Sequence, residues 1–309
     1  MKITLVKDLY YNHSEKSQTR KAENNSSFKS LPCLLSSYTD CYGVQRCSQN
    51  TTDLRKDLDY DRLADIIYDY VKSHLPLQKR FLFFNRKSFP NVSNDKATLP
   101  KVTIYSMAGS DGTEAYAIAN SIIGKMGFEN AQKYVFPIEV SDVSPKIIEQ
   151  YGKRGVVFLL DKEIEKLKHI SKYLKCTGNT YPQWSVYKEY SLSSEFRNCF
   201  TFEVMDLQEK IEKFPPKKEN ELCIFVIRNC LAQAFGSLET DMLLDKMAKY
   251  LPHESLAIFG DYDTKIKMLN VFKHSYNMIP IDYKNNIYKI FSLNRIFEAC
   301  EELLDVFHK

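Results

Sequence analysis

No apolar run approaches the roughly 18 residues that a bilayer-spanning helix needs, and the opening MKITLVKDLYYNHSEK is too polar for a secretory leader. The sequence therefore reads as that of a soluble, cytoplasmic protein. The eight cysteines, Cys33, Cys41, Cys47, Cys176, Cys199, Cys223, Cys230 and Cys300, include no C-x-x-C pair. Several stand inside apolar runs as small core residues, and all are read as reduced. The spacings from Cys33 to Cys41 to Cys47 are not those of a zinc site and His13 is the only imidazole nearby, so no metal is expected. Net charge is small as well: +4 over 309 residues does not demand a nucleic acid partner. Its distribution is uneven, with 16 Lys and Arg against 11 Asp and Glu in residues 1–100 and 27 against 28 in the rest. A basic first third suits either an acidic partner or plain solvation.

What is present centres on KVTIYSMAGSDGTEAYAIA, residues 101–119. An alternating apolar run from Val102 to Met107 enters a short turn with Gly109 and Gly112, and a helical pattern leaves from Glu114, giving strand, glycine turn and helix. Glycines there let backbone approach a ligand, and the helix start points unpaired N–H groups into the same space. A phosphate loop would need Lys and then Ser or Thr after the second glycine, but Thr113 and Glu114 follow Gly112. A dinucleotide fingerprint would need a third glycine. An acid at Glu114 would repel phosphate and suit the ammonium of an amino acid, which fits S-adenosylmethionine better than a nucleotide di- or triphosphate. Taken alone, the turn is more simply an ordinary tight connection.

The rest of the chain repeats the arrangement. At 44% hydrophobic composition it is long enough for one large α/β domain and a smaller one. Leu63, Ile66, Ile67 and Tyr70 recur at helical spacing from Asp59 onward, followed by the aromatic and basic run LFFNR at 82–86. Strand-like runs at 134–140, 200–205, 222–227 and 256–259 end in Ser141 and Asp142, Asp206 and Leu207, Arg228 and Asn229, and Gly260 and Asp261. In an open α/β sheet ligands sit outside the carboxyl ends of the strands, so Asp142 is placed to accept both hydroxyls of a ribose. Ser144 followed by Pro145 opens a helix to about Lys153, and Ser237 opens another. Residues 154–198 are too long for one crossover; a charged helix over 162–174 and a strand over 184–190 are expected inside an inserted subdomain.

Four motifs in order, SMAGSDGTEAYAIA, VSDVS, FEVMDL and IRNCL, resemble the CheR-type chemotaxis receptor glutamate O-methyltransferases, which use S-adenosylmethionine. The likeness covers about residues 60–291. It implies a class I methyltransferase-like, Rossmann-like α/β fold with a mainly parallel sheet, an inserted small β-subdomain and an N-terminal helical domain. The expected division is an irregular arm over 1–58, a helical domain over 59–98, and the methyltransferase domain over 99–309 with its insertion at about 154–198. Carried onto this sequence, the resemblance implies that Ala108, Gly109 and Gly112 form the cofactor turn and that Glu114 holds the methionine ammonium. Asp142 would hold the ribose, Asp206 and Leu207 would flank the adenine, and Asn229 and Cys230 would line the floor beneath it.

The departures fall near the methyl group. Thr113, Glu114 and Ala115 replace the family's consecutive glutamates and proline, Asn85 displaces the arginine of its FFR segment to Arg86, and Gln233 stands where a tyrosine is usual. Arg86 and Gln233 are the methyl-proximal candidates. A glutamate side chain is already ionised at neutral pH, so no general base is required of the sequence. The resemblance further implies an acidic protein substrate, such as chemoreceptor helices, met by the basic first third; neither nucleic acid nor membrane insertion is expected. A methyltransferase for another protein or small molecule, or a non-catalytic interaction module, remains open on sequence.

Overall fold

The computed structural model describes residues 60–75, 99–181, 184–215, 218, 220–228, 230–231, 237–260, 263, 278–282 and 284–290. The ten strands among them are β1 (Lys101–Met107), β2 (Ile138–Asp142), β3 (Val156–Leu159), β4 (Leu174–Tyr181), β5 (Trp184–Leu192), β6 (Phe200–Val204), β7 (Glu221–Ile227), β8 (Ser255–Phe259), β9 (Met278–Asp282) and β10 (Ile287–Ile290). The helices are α1 (Tyr60–His74), α2 (Thr113–Met126), α3 (Phe128–Tyr134), α4 (Pro145–Ile147), α5 (Asp161–Lys166), α6 (Ser194–Arg197), α7 (Leu207–Glu212) and α8 (Ser237–Tyr250).

Seven strands form one sheet in the order β6-β2-β1-β7-β8-β10-β9. The first five positions pair in parallel, and β10 and β9 add an antiparallel edge beyond β8. Strands buried on both faces read as continuous apolar runs, which is why β7 was visible in the sequence; β1 is buried on both faces too, with Thr103 and Ser106 interrupting its run. Their alternate residues serve opposite sides. Val102, Ile104, Leu222, Ile224 and Val226 join one core with α1, α2 and α3, whereas Tyr105, Met107, Cys223, Phe225 and Ile227 join another with α7 and α8. The result is the class I methyltransferase-like, Rossmann-like arrangement, helices on both faces of a mainly parallel sheet.

The chain runs outward from β1 through β2 to β6 and then returns to the other side of β1 as β7. Connections therefore diverge between β1 and β7, and the carboxyl ends of these two strands bound the crevice where open α/β sheets take ligands. Helix α1, expected to belong to a domain over 59–98, buries Leu63, Ala64, Ile67 and Val71 in the same core as β1 and α2. Residues 76–98 lie outside the described residues, as does the expected arm over 1–58.

Two expected elements are corrected. The strand expected over 134–140 begins only at Ile138, because Tyr134 closes α3 and Pro137 has no N–H for a ladder. The carbonyls of Val135 and Phe136 are taken instead by the Lys101 ammonium at 3.2 and 2.8 Å. The helix expected over 162–174 stops at Lys166. Asn120, on α2, intercepts it: its side-chain amide donates to the Lys166 carbonyl at 3.2 Å and its oxygen accepts from the His169 N–H at 2.9 Å. Leu167, Ile170 and Tyr173 then turn into the core. The insertion is a separate three-stranded antiparallel sheet, β3-β5-β4.

Candidate functional site

The turn after β1 is built from unusual backbone. Ala108 and Ser110 have φ of 53° and 55°, and Gly112 has φ of 89°; the left-handed region is costly for side chains other than glycine's. Tertiary bonds hold it there. The Gly109 N–H donates to the Ser141 carbonyl at 2.9 Å, and the Ser110 N–H donates to Asp142 Oδ2 at 3.0 Å. Asp111 Oδ1 accepts from the Thr113 N–H at 3.0 Å and from its hydroxyl at 2.7 Å, which covers an open donor at the start of α2. From below, the Tyr116 hydroxyl donates to the Asp111 carbonyl at 3.3 Å. Burial first, and Asp111 second, push that phenol above its ordinary pKa, so it stays a donor.

The glycines have an internal reason that the sequence did not reveal. A Cβ on Gly109 would stand 2.6 Å from Ser106 Oγ and 2.7 Å from Val140 Cγ1, and one on Gly112 would stand 2.8 Å from two ring carbons of Phe202. Both therefore let the turn close onto its own sheet.

Asp142 ends β2 and ties two turns together. While Oδ2 receives Ser110, Oδ1 accepts from the Ser144 N–H at 2.9 Å. The next acid along the rim is joined to it through backbone, because the Met205 N–H donates to the Asp142 carbonyl at 3.0 Å. Asp206 then caps α7, its Oδ1 accepting from the N–H of Gln208 at 2.8 Å and of Glu209 at 3.4 Å. Leu207 is buried in the second core, and Cys230 packs against the same core. Ala108, Gly109, Gly112, Asp142 and Asp206 are thus brought to one rim. Asn229, Arg86 and Gln233 lie outside the described residues.

Glu114 is 3% exposed, and it is not a lone acid at the mouth of the turn. Across the switch point, Arg228 Nη1 donates to Glu114 Oε1 at 2.9 Å, and Arg228 is likewise 3% exposed. The Tyr60 hydroxyl, from the first turn of α1, donates to the same Oε1 at 2.9 Å and accepts from Arg228 Nη1 at 2.6 Å. Two buried charges are tolerated only when paired and hydrogen-bonded. The helix N-terminus adds a favourable field for the carboxylate. Burial disfavours the guanidinium charge, but the Tyr60 oxygen and the Glu114 carboxylate outweigh it and raise the Arg228 pKa.

The sequence reading placed Arg228 at a strand end without giving it a role, and it missed Tyr60. A signal for Arg228 was present, since an arginine directly following six apolar residues of a buried strand needs a partner; for Tyr60, one aromatic on a helical face, there was none. Ser110, 4% exposed, also went unmarked, and its Oγ is buried without a hydrogen-bond partner. An orphan hydroxyl of this kind is costly unless something polar completes it. Together with the Glu114 and Arg228 pair, it fits a ligand that carries both an amino-acid end and hydroxyl groups.

The model of the CheR methyltransferase SAM-binding domain matches residues 76–278. Among solved structures, the N-methyltransferase NodS from Bradyrhizobium japonicum WM9 is similar at 11% identity and a TM-score of 0.31, over 62% of this chain and 85% of that one. Its complex with S-adenosyl-l-homocysteine gives 10% identity and a TM-score of 0.34, over 77% and 90%. Comparison with curated protein sequences gives no match. The family model spans more than half of the chain, which therefore belongs to the CheR methyltransferases and is an S-adenosylmethionine-dependent methyltransferase.

Proposed function

We propose that this enzyme methylates glutamate carboxylates on an acidic protein surface, such as the helices of a chemoreceptor, in the cytoplasm. The observation that carries the reading is the oppositely charged pair Glu114 and Arg228, meeting at 2.9 Å across the switch point between β1 and β7. A carboxylate beside a guanidinium complements the ammonium and carboxylate of an amino-acid tail. In this reading Asp142 accepts from the ribose hydroxyls, Ser110 Oγ completes its hydrogen bonding beside them, and Asp206 and Leu207 flank the adenine. Cys230 and Asn229 are assigned to the adenine, and Arg86 and Gln233 are the candidates for contact with the reacting methyl. The division into an arm, a helical domain over 59–98 and a methyltransferase domain from 99 belongs to the same proposal, the basic first third meeting the acidic acceptor.

S-adenosylmethionine supplies an electrophilic methyl on a sulfonium centre. The acceptor carboxylate is already ionised at neutral pH, so the protein has no proton to remove. Its residues hold the donor, exclude water and align the two reactants, which is sufficient for a displacement of this kind.

The test is a calorimetric titration of folded, cofactor-free protein with S-adenosylmethionine and, separately, S-adenosylhomocysteine. It is followed by incubation of methyl-tritiated donor with an acidic helical protein. Saturable one-to-one binding and a protein label released as volatile methanol by mild alkali are expected, because carboxyl methyl esters are base-labile. Binding with an alkali-stable label would remove the glutamate acceptor, and no binding of either compound would remove the cofactor site. Asp142→Ala should weaken binding by about 1–3 kcal/mol through lost hydroxyl hydrogen bonds. Since Asp142 also anchors Ser110 and Ser144, its unfolding curve must be measured alongside.

A further inference from the structure

The charged pair at the switch point is completed from outside the segment that the family model matches. Tyr60 lies sixteen residues before residue 76, where that match begins. Its hydroxyl nevertheless sits within hydrogen-bond distance of both members of the pair, 2.9 Å from Glu114 Oε1 and 2.6 Å from Arg228 Nη1. The single phenolic proton goes to the carboxylate and a lone pair receives the guanidinium, so one oxygen fixes the direction of both groups. Its ring centroid is 5.6 Å from the guanidinium carbon, and the residue is only 8% exposed. Leu63, Ala64, Ile67 and Val71 anchor the helix behind it in the core shared with α2, so the hydroxyl is held by a rigid element.

Both bonds that Glu114 receives in this cluster end on Oε1, leaving Oε2 outside them. That partition is what a cofactor-tail site needs: one oxygen locks the rotamer and the other is kept for a ligand. We propose that Tyr60 is a positioning residue of the methyl-transfer site, holding Glu114 and Arg228 in the orientation that receives the amino-acid end of S-adenosylmethionine. The inference rests on the assignment of Glu114 and Arg228 to that end of the cofactor. It makes α1, by sequence a helix of the amino-terminal part, a working wall of the cofactor crevice.

The test compares two ligands that differ in the amino-acid tail. S-adenosylhomocysteine carries it, while 5′-methylthioadenosine retains adenine, ribose and sulfur without it. Both are titrated calorimetrically into the full chain, as wild type, Tyr60→Phe and Glu114→Gln, with unfolding curves for each. Tyr60→Phe is expected to bind S-adenosylhomocysteine about three- to tenfold more weakly, the loss of one hydrogen bond's worth of orientation, and to bind 5′-methylthioadenosine as wild type does. A merely structural role would weaken both ligands together, and that outcome overturns the proposal. Unchanged affinity for S-adenosylhomocysteine in Tyr60→Phe, while Glu114→Gln loses it selectively, overturns the proposal and leaves the site assignment standing. If Glu114→Gln does not discriminate between the ligands either, the assignment of the pair is wrong and the proposal falls with it. Tyr60→Leu provides a second chain without the hydroxyl should the phenylalanine variant fail to fold.

Discussion

The seven-stranded sheet and the inserted three-stranded sheet use the same building blocks under opposite conditions. On β1 and β7 six of seven residues are buried, and the polar groups that follow them are either paired in the interior or used to brace a turn. On β4, by contrast, residues 175–179 are exposed, and the insertion's ion pair between Lys188 and Asp161, 2.8 Å apart, stands in solvent. A pair of opposite charges therefore has a different meaning in each. In water it exchanges one set of hydrogen bonds for another, whereas in the interior a partner removed leaves a charge with no compensation.

The largest expected effect tests that difference directly. Arg228→Ala, which strands Glu114 in the interior, should lower the free energy of unfolding by about 3–5 kcal/mol in a urea titration. Lys188→Ala should leave the same curve unchanged. Replacing both buried members, as Glu114→Leu with Arg228→Met, should return much of the loss, because an apolar pair of similar volume carries no desolvation penalty. Equal costs for Arg228→Ala and Lys188→Ala would erase the contrast.

A smaller effect separates backbone from packing. Gly112 and Gly178 have nearly the same φ, 89° and 84°, but a Cβ on Gly112 would meet Phe202 at 2.8 Å and one on Gly178 would meet nothing within 4 Å. Gly178→Ala should cost about 1–2 kcal/mol from the left-handed backbone alone. Gly112→Ala should cost about 1–3 kcal/mol more from the collision. Adding Phe202→Leu to Gly112→Ala should narrow the gap; equal costs for the two glycines would show that the ring moves aside freely.

The smallest effect concerns two thiols. Cys199 is buried against α6, and burial chiefly, with Glu195 adding, lifts its pKa from 9.0 to about 12; Cys176 on β4 is exposed. A raised folded-state value means that the folded chain holds this proton more tightly than the unfolded one. The associated stability is intact below about pH 9 and is lost as the pH climbs toward about 12. Cys199→Ala should therefore flatten the alkaline limb of the stability profile. Peptide-level mapping after iodoacetamide treatment of native protein at pH 8 should find Cys176 modified and Cys199 protected.

What could be read without coordinates follows the same division. The strands β7 and β8 were legible because burial on both faces leaves an uninterrupted apolar run, and β1 because its apolar residues lead straight into a glycine turn; Ser144 with Pro145 announced a helix start that the structure keeps, the Ser144 hydroxyl accepting from the Ile147 N–H at 3.3 Å. The strand β4, LKCTGNTY, was not legible, because an exposed strand pairs through its backbone and imposes no pattern on its side chains. Nor was the early end of α5, which depends on one asparagine 46 residues away in sequence. At the rim, Asp142 and Glu114 could be singled out as acids at the ends of elements, yet neither the brace that one forms nor the partners of the other could be inferred.

By itself, the sequence determined that this chain is α/β, that its polar residues collect where strands end, and that an acid rather than a phosphate-binding lysine follows the glycine turn. These are local facts, set by side-chain periodicity and backbone allowance within a few residues. Only the tertiary structure decided that Glu114 is shared with Arg228 and Tyr60, 114 and 54 residues distant, and that Gly112 is required by Phe202. Strand order sets those meetings, and strand order depends on how two apolar faces are covered at once, a condition met by the whole chain and written in no single stretch of it.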